Sequence, residues 1–489
     1  MPTIFAGIST ALRALMAQQS GMQTTAHNIA NANTPGFTRQ QALMAASTPF
    51  PMPGFNRPGG PGQIGTGVDI TLIRRIRDLF LDGQVRVETG SAGHWEITRD
   101  TLERVEVVFM EPSESGLNSL MGRFWNSWQE LSKNAESTPV RTTVRETGIA
   151  LSNAIRHTFN QLYSLKNDLD LTLENKVREI NTLARQIADL NVQIANIQQS
   201  GHQPNDLKDQ RDVLLDHLAM LVPFALEDYT DAQGNYIGAV KVKVAGQDLV
   251  VWGQGMPRSE QVRELQVVEQ GGRLLPRWSE VDGTAPLLEV SSGQLAGVLF
   301  SRDSLVQNYM DKLDVLARGL IDRINQVHSQ GFDLDGNSGG AFFTGTGAAD
   351  MAVDPLLAKD VRLIAASSGG GPGDSNNALQ ILLLRSTRMV VEDGVFTPAP
   401  GGAGGTTFDN FYKDFIAELG VATHEARRMA ENQQALVDQL QNRRDSISGV
   451  SLDEETAKLI QYQRAYQAAA RVITTIDEML DTLVNGLKR

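Results

Sequence analysis

Residues 459–487 read LIQYQRAYQAAARVITTIDEMLDTLVNGL, and an apolar or small side chain recurs there at alternating steps of three and four residues. This spacing averages about 3.5 residues, the period of helices that pack in a coiled coil. The stripe consists of Leu459, Tyr462, Tyr466, Ala469, Ile473, Ile476, Leu480, Leu483 and Leu487. We therefore expect a C-terminal helix with one apolar face that needs a partner to cover it.

A similar strip lies near the N-terminus. It consists of Ile4, Ile8, Ala11, Leu15, Gln18, Met22, Thr25 and Ile29. Terminal helices fray unless other contacts tie them down. The two ends are therefore expected to pack against each other or against the ends of other copies, which makes assembly the leading hypothesis for function.

The N-terminal helix is expected to end near residue 33. Pro35 disfavours helical geometry in the residue before it, and Gly36 tolerates a positive φ. Three asparagines close to this helix end can bond through their side-chain amides to backbone groups. The predicted N-terminal assembly interface consists of Ile4, Ile8, Leu15, Met22, Asn28, Ile29, Asn31 and Asn33.

Helical and strand-like periods alternate along the rest of the chain. Apolar residues recur at helical spacing over 74–109, 140–199, 294–329 and 408–446. A glycine and a proline within 200–204 interrupt the helical pattern, which resumes after them. This arrangement predicts an antiparallel helical hairpin.

Two other segments carry the shorter period of β-strands. Side chains alternate over 68–73 and again within 224–290. The glycine-rich segment 331–406 is expected to form irregular β structure with loops. Ser451 and Glu454 have the spacing of a capping box, which marks the start of the terminal helix. The chain is therefore predicted to be α+β, with β segments inserted between helices.

The composition argues against several classes of partner. Lysine and arginine together number 44, aspartate and glutamate 57, and the net charge is −13. An acidic chain binds phosphate backbones and anionic membrane surfaces poorly, so we predict no nucleic acid and no membrane as partners. No apolar run reaches the roughly 20 residues that span a bilayer, and the N-terminus lacks the pattern of a cleavable signal peptide. The chain has no cysteine, which excludes disulfides and thiol chemistry.

Some sequence patterns resemble binding sites but lack the neighbouring residues or elements that those sites need. Residues 60–65 match G-x-G-x-x-G, but prolines precede them and a strand follows, where a dinucleotide site needs a helix. Asp333, Asp335 and Asn337 resemble the start of a calcium loop, yet the glycine and glutamate required later in the loop are missing, so we expect a turn. The seven histidines lack the spacing of zinc ligands. We predict no cofactor, no metal and no catalytic residue.

Residues 20–40 read SGMQTTAHNIANANTPGFTRQ, and this segment resembles the signature shared by the rod, hook and hook-associated proteins of the bacterial flagellum. The resemblance extends to PNDLKDQRD at 204–212 and to SLDEE at 451–455. It covers both ends and much of the helical middle, and it is loose over 223–292 and 333–406.

The resemblance implies an elongated, multidomain structural protein that polymerises and is not an enzyme. The terminal helices would form an inner coiled-coil domain, followed by an α-helical rod domain and outward β-rich domains. The corresponding segments are 1–60 with 447–489 for the inner domain, 61–222 with 293–332 and 407–446 for the rod domain, and 223–292 with 333–406 for the outer domains.

The resemblance also implies a location and partners. The chain would leave the cell through the flagellar type III apparatus, without a cleavable signal peptide, and join hook to filament at their junction. Its partners would be further copies of itself in a helical or ring layer, the hook protein and hook-associated protein 3. An export chaperone would bind the C-terminal strip, because amphipathic helices suit recognition in a groove.

Two alternatives remain open from the sequence alone. One is another axial protein, hook or distal rod, with the same terminal helices. The other, less favoured, is a cell-wall hydrolase on a helical scaffold, for which the sequence shows no carboxylate or histidine constellation.

Overall fold

The computed structural model describes residues 4–49, 65–111, 113–114, 116–230, 234, 236–253, 256, 261–279, 286–399 and 404–485. The chain is elongated and α+β, as the sequence predicts, with long helices that carry small antiparallel sheets. The helices are α1 (Ile4–Ala30), α2 (Leu79–Phe109), α3 (Leu117–Lys133), α4 (Thr138–Gln199), α5 (Asn205–Leu221), α6 (Gly293–Phe300), α7 (Gln307–His328), α8 (Pro355–Lys359), α9 (Asn376–Leu383), α10 (Phe408–Ser448) and α11 (Leu452–Asn485). The strands are β1 (Gln40–Ala46), β2 (Val68–Arg75), β3 (Phe224–Thr230), β4 (Tyr236–Val244), β5 (Gln247–Val250), β6 (Leu265–Gln270), β7 (Arg273–Trp278), β8 (Phe343–Thr344), β9 (Ala352–Val353), β10 (Met389–Glu392) and β11 (Val395–Pro398).

The predicted helical hairpin is confirmed as α4 and α5. Helix α4 has 62 residues, which corresponds to a length of roughly 90 Å at 1.5 Å per residue. Its predicted apolar stripe is buried, with Ile180, Ile187 and Ile194 fully inaccessible to solvent. The hairpin turns at Gly201, whose φ of 85° suits a residue without a Cβ atom.

Two predicted helices have different bounds in the structure. The helix expected from residue 74 begins at Leu79, because the Asp78 carboxylate caps it by accepting the backbone N–H groups of Phe80 and Leu81 at 3.0 and 3.3 Å. The residues before it belong to β2, which pairs with β1. The helix expected over 294–329 is α6 and α7, joined by a π-helical turn over Ser301–Val306.

Helix α3 is not among the elements predicted from the sequence. This helix contributes the aromatic centre of the core, since Phe124, Trp125 and Trp128 are each fully buried. The buried residues of α3 recur at steps of three and four, so the helical signal was present but short.

The two β-containing segments attach at different positions along α4. Toward its C-terminal end, the Asn181 amide donates to the Leu265 carbonyl at 2.7 Å and accepts the Leu265 N–H at 2.8 Å. Asn191 makes the same pair of bonds to Val240, at 2.7 and 3.2 Å. Each asparagine satisfies strand backbone groups that would otherwise be buried without partners, so it fixes a sheet to the helix.

The segment 331–406 packs nearer the N-terminal end of α4, and it contains the helices α8 and α9 as well as short strands. The buried Arg141 side chain of α4 donates to the Ile364 carbonyl at 2.6 Å. The Phe342 ring lies against Trp128, with ring centroids 5.4 Å apart. This segment is therefore part of the main core, and the expectation of mainly irregular β structure is corrected by its two helices.

His328, at the end of α7, is buried in this part of the core and bonds to backbone groups through both ring nitrogens. Its Nε2 atom accepts the Ala365 N–H at 2.9 Å, so Nδ1 carries the proton and donates to the Gly340 carbonyl at 2.7 Å. The pKa of His328 is lowered to about 4, mainly by burial and also by the charge of Arg141, while the bond to the Gly340 carbonyl acts in the opposite direction. The folded chain therefore holds a neutral imidazole.

We predict that acid destabilises the core through His328. The unfolded histidine takes up a proton near pH 6.5 and the folded one near pH 4, so this contribution to stability is complete above about pH 6.5 and is lost as the pH falls toward 4. The full loss is about 3 kcal/mol. Guanidinium unfolding followed by tryptophan fluorescence at pH 7.5 and pH 5 measures this change, because Trp128 contacts the His328 ring.

The matched pair of variants is His328→Gln and His157→Gln. Glutamine does not titrate, so His328→Gln should flatten the pH dependence whatever its stability at pH 7.5. His157 is exposed, and its replacement should leave the slope unchanged. Equal slopes in all three proteins would contradict the assignment.

Candidate assembly interface

Helices α1 and α11 pack side by side as an antiparallel pair. A Cβ atom placed on Gly7 would lie 3.2 Å from Ile476, and one placed on Gly21 would lie 3.0 Å from the Tyr462 ring. The residue number of the contact on α11 falls as the residue number on α1 rises, so the two helices run in opposite directions. The absence of a side chain at Gly21 lets the tyrosine ring sit directly against the α1 backbone.

The predicted strips line the contact between these two helices. From Leu459 to Leu480, every residue of the C-terminal stripe is half-buried, as are Ile8, Leu15, Met22 and Ile29 of the N-terminal strip. Leu483 is 53 % exposed because α11 extends past the described start of α1. Ile4 lies in α1, but its side chain is outside the described part of the structure, and Leu487 lies outside the described residues altogether.

The three predicted asparagines have different surroundings. Asn28 is fully buried; its amide donates to the Gln40 carbonyl and to the Glu455 carboxylate, both at 2.8 Å, and accepts the Gln40 N–H at 2.9 Å. Asn31 is half-buried and donates to the His27 carbonyl at 3.1 Å. Asn33 is exposed in the turn. Asn28 therefore joins α1, β1 and α11 within one chain. Asn31 bonds to a backbone carbonyl at the C-terminal end of α1.

The loop after α1 docks on α5. The Thr38 hydroxyl donates to the Asp209 carboxylate at 2.5 Å, and the Gln40 side chain donates to Asp206 at 2.7 Å. Gly36 has a φ of 77°, and a Cβ atom there would lie 2.1 Å from Val213. This loop thus fixes the terminal pair to the hairpin turn, a contact between distant segments that sequence periodicity could not reveal.

A buried ion network continues this joint. Arg75 donates to Asp209 at 2.7 Å and to Asp212 at 2.8 Å, and Arg86 bonds to Asp216 at 2.7 Å. Burial acts to raise the pKa of Asp212, but the surrounding guanidinium groups hold that pKa below its ordinary value. Arg444 of α10 also bonds to Asp216 at 2.7 Å. The network therefore ties β2, α2, α5 and α10 together beside the terminal pair.

Each terminal helix also presents a second apolar strip to solvent. We define the outer strips as Phe5, Leu12 and Met16 on α1 and Val472, Met479 and Leu483 on α11. The residues of each strip are separated by seven and four positions, so they share one helix face. They are between 45 % and 70 % exposed. Exposed apolar residues aligned on one helix face are typical of surfaces that contact another molecule.

The sequence also contains a G-x-G-x-x-G match and a segment that resembles the start of a calcium loop. Residues 60–64 of the G-x-G-x-x-G match lie outside the described residues. Asp333 accepts the backbone N–H groups of Asp335 and Asn337, each at 2.8 Å, and Gly336 has a φ of 82°, so this segment is a turn. Within the described ranges, no group of three or more histidine, aspartate or glutamate residues is arranged to hold a metal ion. In the same ranges, no helix has the length and apolar character needed to cross a bilayer.

Comparison with known proteins gives consistent matches. The family model of the flagellar hook-associated protein FlgK helical domain matches residues 102–343. The flagella basal body rod protein model matches residues 8–38, and the flagellar basal body rod FlgEFG protein C-terminal model matches residues 441–486. The two terminal matches cover most of α1 and α11.

Full-length relatives carry the same description. The chain is 33 % identical to flagellar hook-associated protein 1 of Bacillus subtilis (strain 168), in an alignment that covers 100 % of this chain and 99 % of that protein. It is 24 % identical to flagellar hook-associated protein 1 of Escherichia coli (strain K12), covering 98 % and 99 %. The fold is similar to that of the flagellar hook junction protein FlgK from Burkholderia pseudomallei, with a TM-score of 0.63 and 15 % identity, over 75 % of this chain and 100 % of that one.

We predict that Asn28→Asp opens the joint between α1 and α11. The new carboxylate would be buried against Glu455, and an unpaired buried charge costs about 3 kcal/mol. Hydrogen exchange of the purified chain, read by mass spectrometry, should show lost protection at the start of α11. Asn33→Asp makes the same chemical change at an exposed position and should leave exchange unchanged.

The double variant Asn28→Asp with Glu455→Gln removes the like charges and should recover part of the protection. Equal protection in Asn28→Asp and the unaltered chain would show that this contact does not hold the helices together.

Proposed function

This chain belongs to the family of flagellar hook-associated protein 1, a structural component of the bacterial flagellum and not an enzyme, and we propose that it polymerises at the hook–filament junction to join the two structures. The proposal rests on the similarity of this chain, over its whole length, to proteins of that name. The earlier interpretation of residues 20–40 as a flagellar axial signature is confirmed by the same relationship.

The outer strips support a role in polymerisation. The two predicted strips, from Ile8 to Ile29 on α1 and from Leu459 to Leu480 on α11, are called the inner strips. They cover each other within one chain, whereas the outer strips are exposed and open to neighbours. A layer of many copies needs heterologous contacts, in which one surface of a copy meets a different surface of the next. We therefore extend the proposed interface from the two predicted strips to Phe5, Leu12, Met16, Val472 and Met479, with Leu483 common to both sets.

The proposal retains the division of the chain into an inner terminal domain, a helical rod domain and outer domains, with the boundaries given above. The 333–406 part of the outer domains packs against the N-terminal end of α4 and shares the core of the rod domain. The buried joint around Asn28 and Asp209 lies where the first two of these meet. The hook protein and hook-associated protein 3 are the proposed neighbours above and below the layer. We also propose that an export chaperone binds the C-terminal helix in the cell and that the chain leaves the cell through the type III apparatus.

We predict that cells lacking this gene make hooks without filaments and release monomeric flagellin into the medium. A missing junction leaves filament subunits without a base on which to polymerise. Electron microscopy of the cells and immunoblotting of the medium measure the two results. Cells without hooks would place the protein at the rod or hook instead, and normal filaments would contradict the proposal.

Returning variants to the same cells tests the outer strip. Val472→Asp places a charge on an exposed apolar site, so the chain should fold and be exported but fail to restore filaments. Thr474→Asp introduces the same charge two residues away, on the polar face of α11, and should restore them. Immunoblotting of the exported variants separates failed assembly from failed export.

A further inference from the structure

A cavity of about 730 Å³ lies between α2, α5 and the sheet of β3 and β4, beside the ion network. Helix α5 contributes Lys208 and Arg211 to its wall, and these side chains are 8 % and 4 % exposed. Buried cations are normally paired with carboxylates, because the loss of hydration is otherwise uncompensated. The partners of Lys208 and Arg211 therefore show whether their positive charges are compensated within the chain.

Neither cation has a carboxylate partner within the described part of the chain. The Arg211 guanidinium donates to the Asn191 amide oxygen at 2.9 Å, to the Gly238 carbonyl at 2.6 Å and to the Tyr236 hydroxyl at 3.3 Å, all of them neutral groups. The Lys208 ammonium donates to the Gln203 amide oxygen at 3.3 Å and lies 5.7 Å from the centre of the Tyr236 ring.

Asp212 and Asp82, two of the described carboxylates in the cavity wall, are already paired with arginines. Asp212 accepts from Arg75 at 2.8 Å and lies 3.1 Å from Arg77, and Arg77 also bonds to Asp82 at 2.6 Å. Asp228 lies at the exposed rim. Burial, together with the charges of Arg75 and Arg211, lowers the pKa of Lys208 to about 8, and Asp212 offsets only part of this. An added negative charge near Lys208 would therefore stabilise its protonated amine.

Apart from Asp228, the described side chains exposed at the mouth of this cavity are apolar. Leu79 and Val87 of α2 line it while 78 % and 66 % exposed, and Leu226 of β3 lines it from the other side. Apolar residues around a desolvated charge exclude water and strengthen an ion pair made inside. The cavity is thus suited to an acidic side chain that is carried on an apolar segment, and less suited to a freely hydrated anion.

We propose that this cavity receives an aspartate or glutamate side chain of a neighbouring copy of this chain, with the Lys208 ammonium as its ion-pair partner. The chain carries 57 acidic against 44 basic residues, so a second copy offers an excess of carboxylates. A heterologous contact lets the cavity of one copy meet a different surface of the next. This inference rests on the proposed assembly into a junction layer.

Zero-length cross-linking of isolated hook–filament junctions tests the contact. A carbodiimide activates a carboxylate, the Lys208 amine attacks the activated carbonyl, and an amide forms with release of the urea. Junctions built from a mixture of ¹⁴N and ¹⁵N copies distinguish bonds between copies from bonds within one. We expect a mixed-isotope peptide that joins Lys208 to an acidic residue, and its sequence identifies the partner. Lys458, 2.7 Å from Glu455 in the same chain, is the internal control.

Matched variants give a second readout. Lys208→Met keeps the length of the side chain and removes its charge, and it should lower the number of filaments per cell at least tenfold, as expected for loss of a desolvated ion pair. Lys208→Arg keeps the charge but forms no amide, so filaments should persist while the cross-link disappears. Thermal unfolding of both purified variants checks that they fold.

The outcomes separate the two proposals. Junctions that contain the chain and show the Lys458 cross-link, but no inter-copy bond from Lys208 and normal filaments with Lys208→Met, would overturn this inference and leave the proposed function standing. Acylation of Lys208 only by ¹³C-labelled acetate added to the buffer would replace the neighbouring copy with a small anion, which also overturns it. Absence of the chain from isolated junctions would overturn both.

Discussion

The buried hydrogen bonds of Asn28 are the constraint on which the rest of the structure depends. One amide side chain satisfies the Gln40 backbone and the Glu455 carboxylate, so it connects the first helix, the first strand and the last helix. Because Glu455 is only 1 % exposed, its charge depends on this bond and on Lys458 for compensation. The two ends of a 489-residue chain are thereby brought to one point with a defined register.

This register determines which surfaces remain open. With α1 and α11 antiparallel, the inner strips cover each other and the outer strips face away from the body. The docked loop and the arginine–aspartate network then fix the pair to the α4–α5 hairpin. A polymer subunit that transmits load between hook and filament needs such a joint, because apolar packing alone is non-directional, whereas charge-assisted hydrogen bonds have defined geometry.

The sequence predicted the parts of this arrangement that depend on local periodicity. The inner strips from Ile8 to Ile29 and from Leu459 to Leu480, the α4–α5 hairpin and the break before α11 follow from spacing and helix stop signals. It could not predict contacts between distant segments, such as Thr38 with Asp209. Strand β1, with the sequence QQALMAA, has residues that favour helix, and its pairing with β2 overrides that preference. The outer strips lie beside the heptad stripe on each helix, so a single 3.5-residue period does not identify them.

A cryo-electron microscopy structure of the isolated hook–filament junction would test this arrangement of the terminal helices. We expect α1 and α11 of the same chain to remain paired through Asn28 and Glu455, and neighbouring copies to cover Leu12, Met16, Val472 and Met479. Pairing of α1 from one copy with α11 of the next, or outer strips exposed to solvent in the assembled layer, would contradict it.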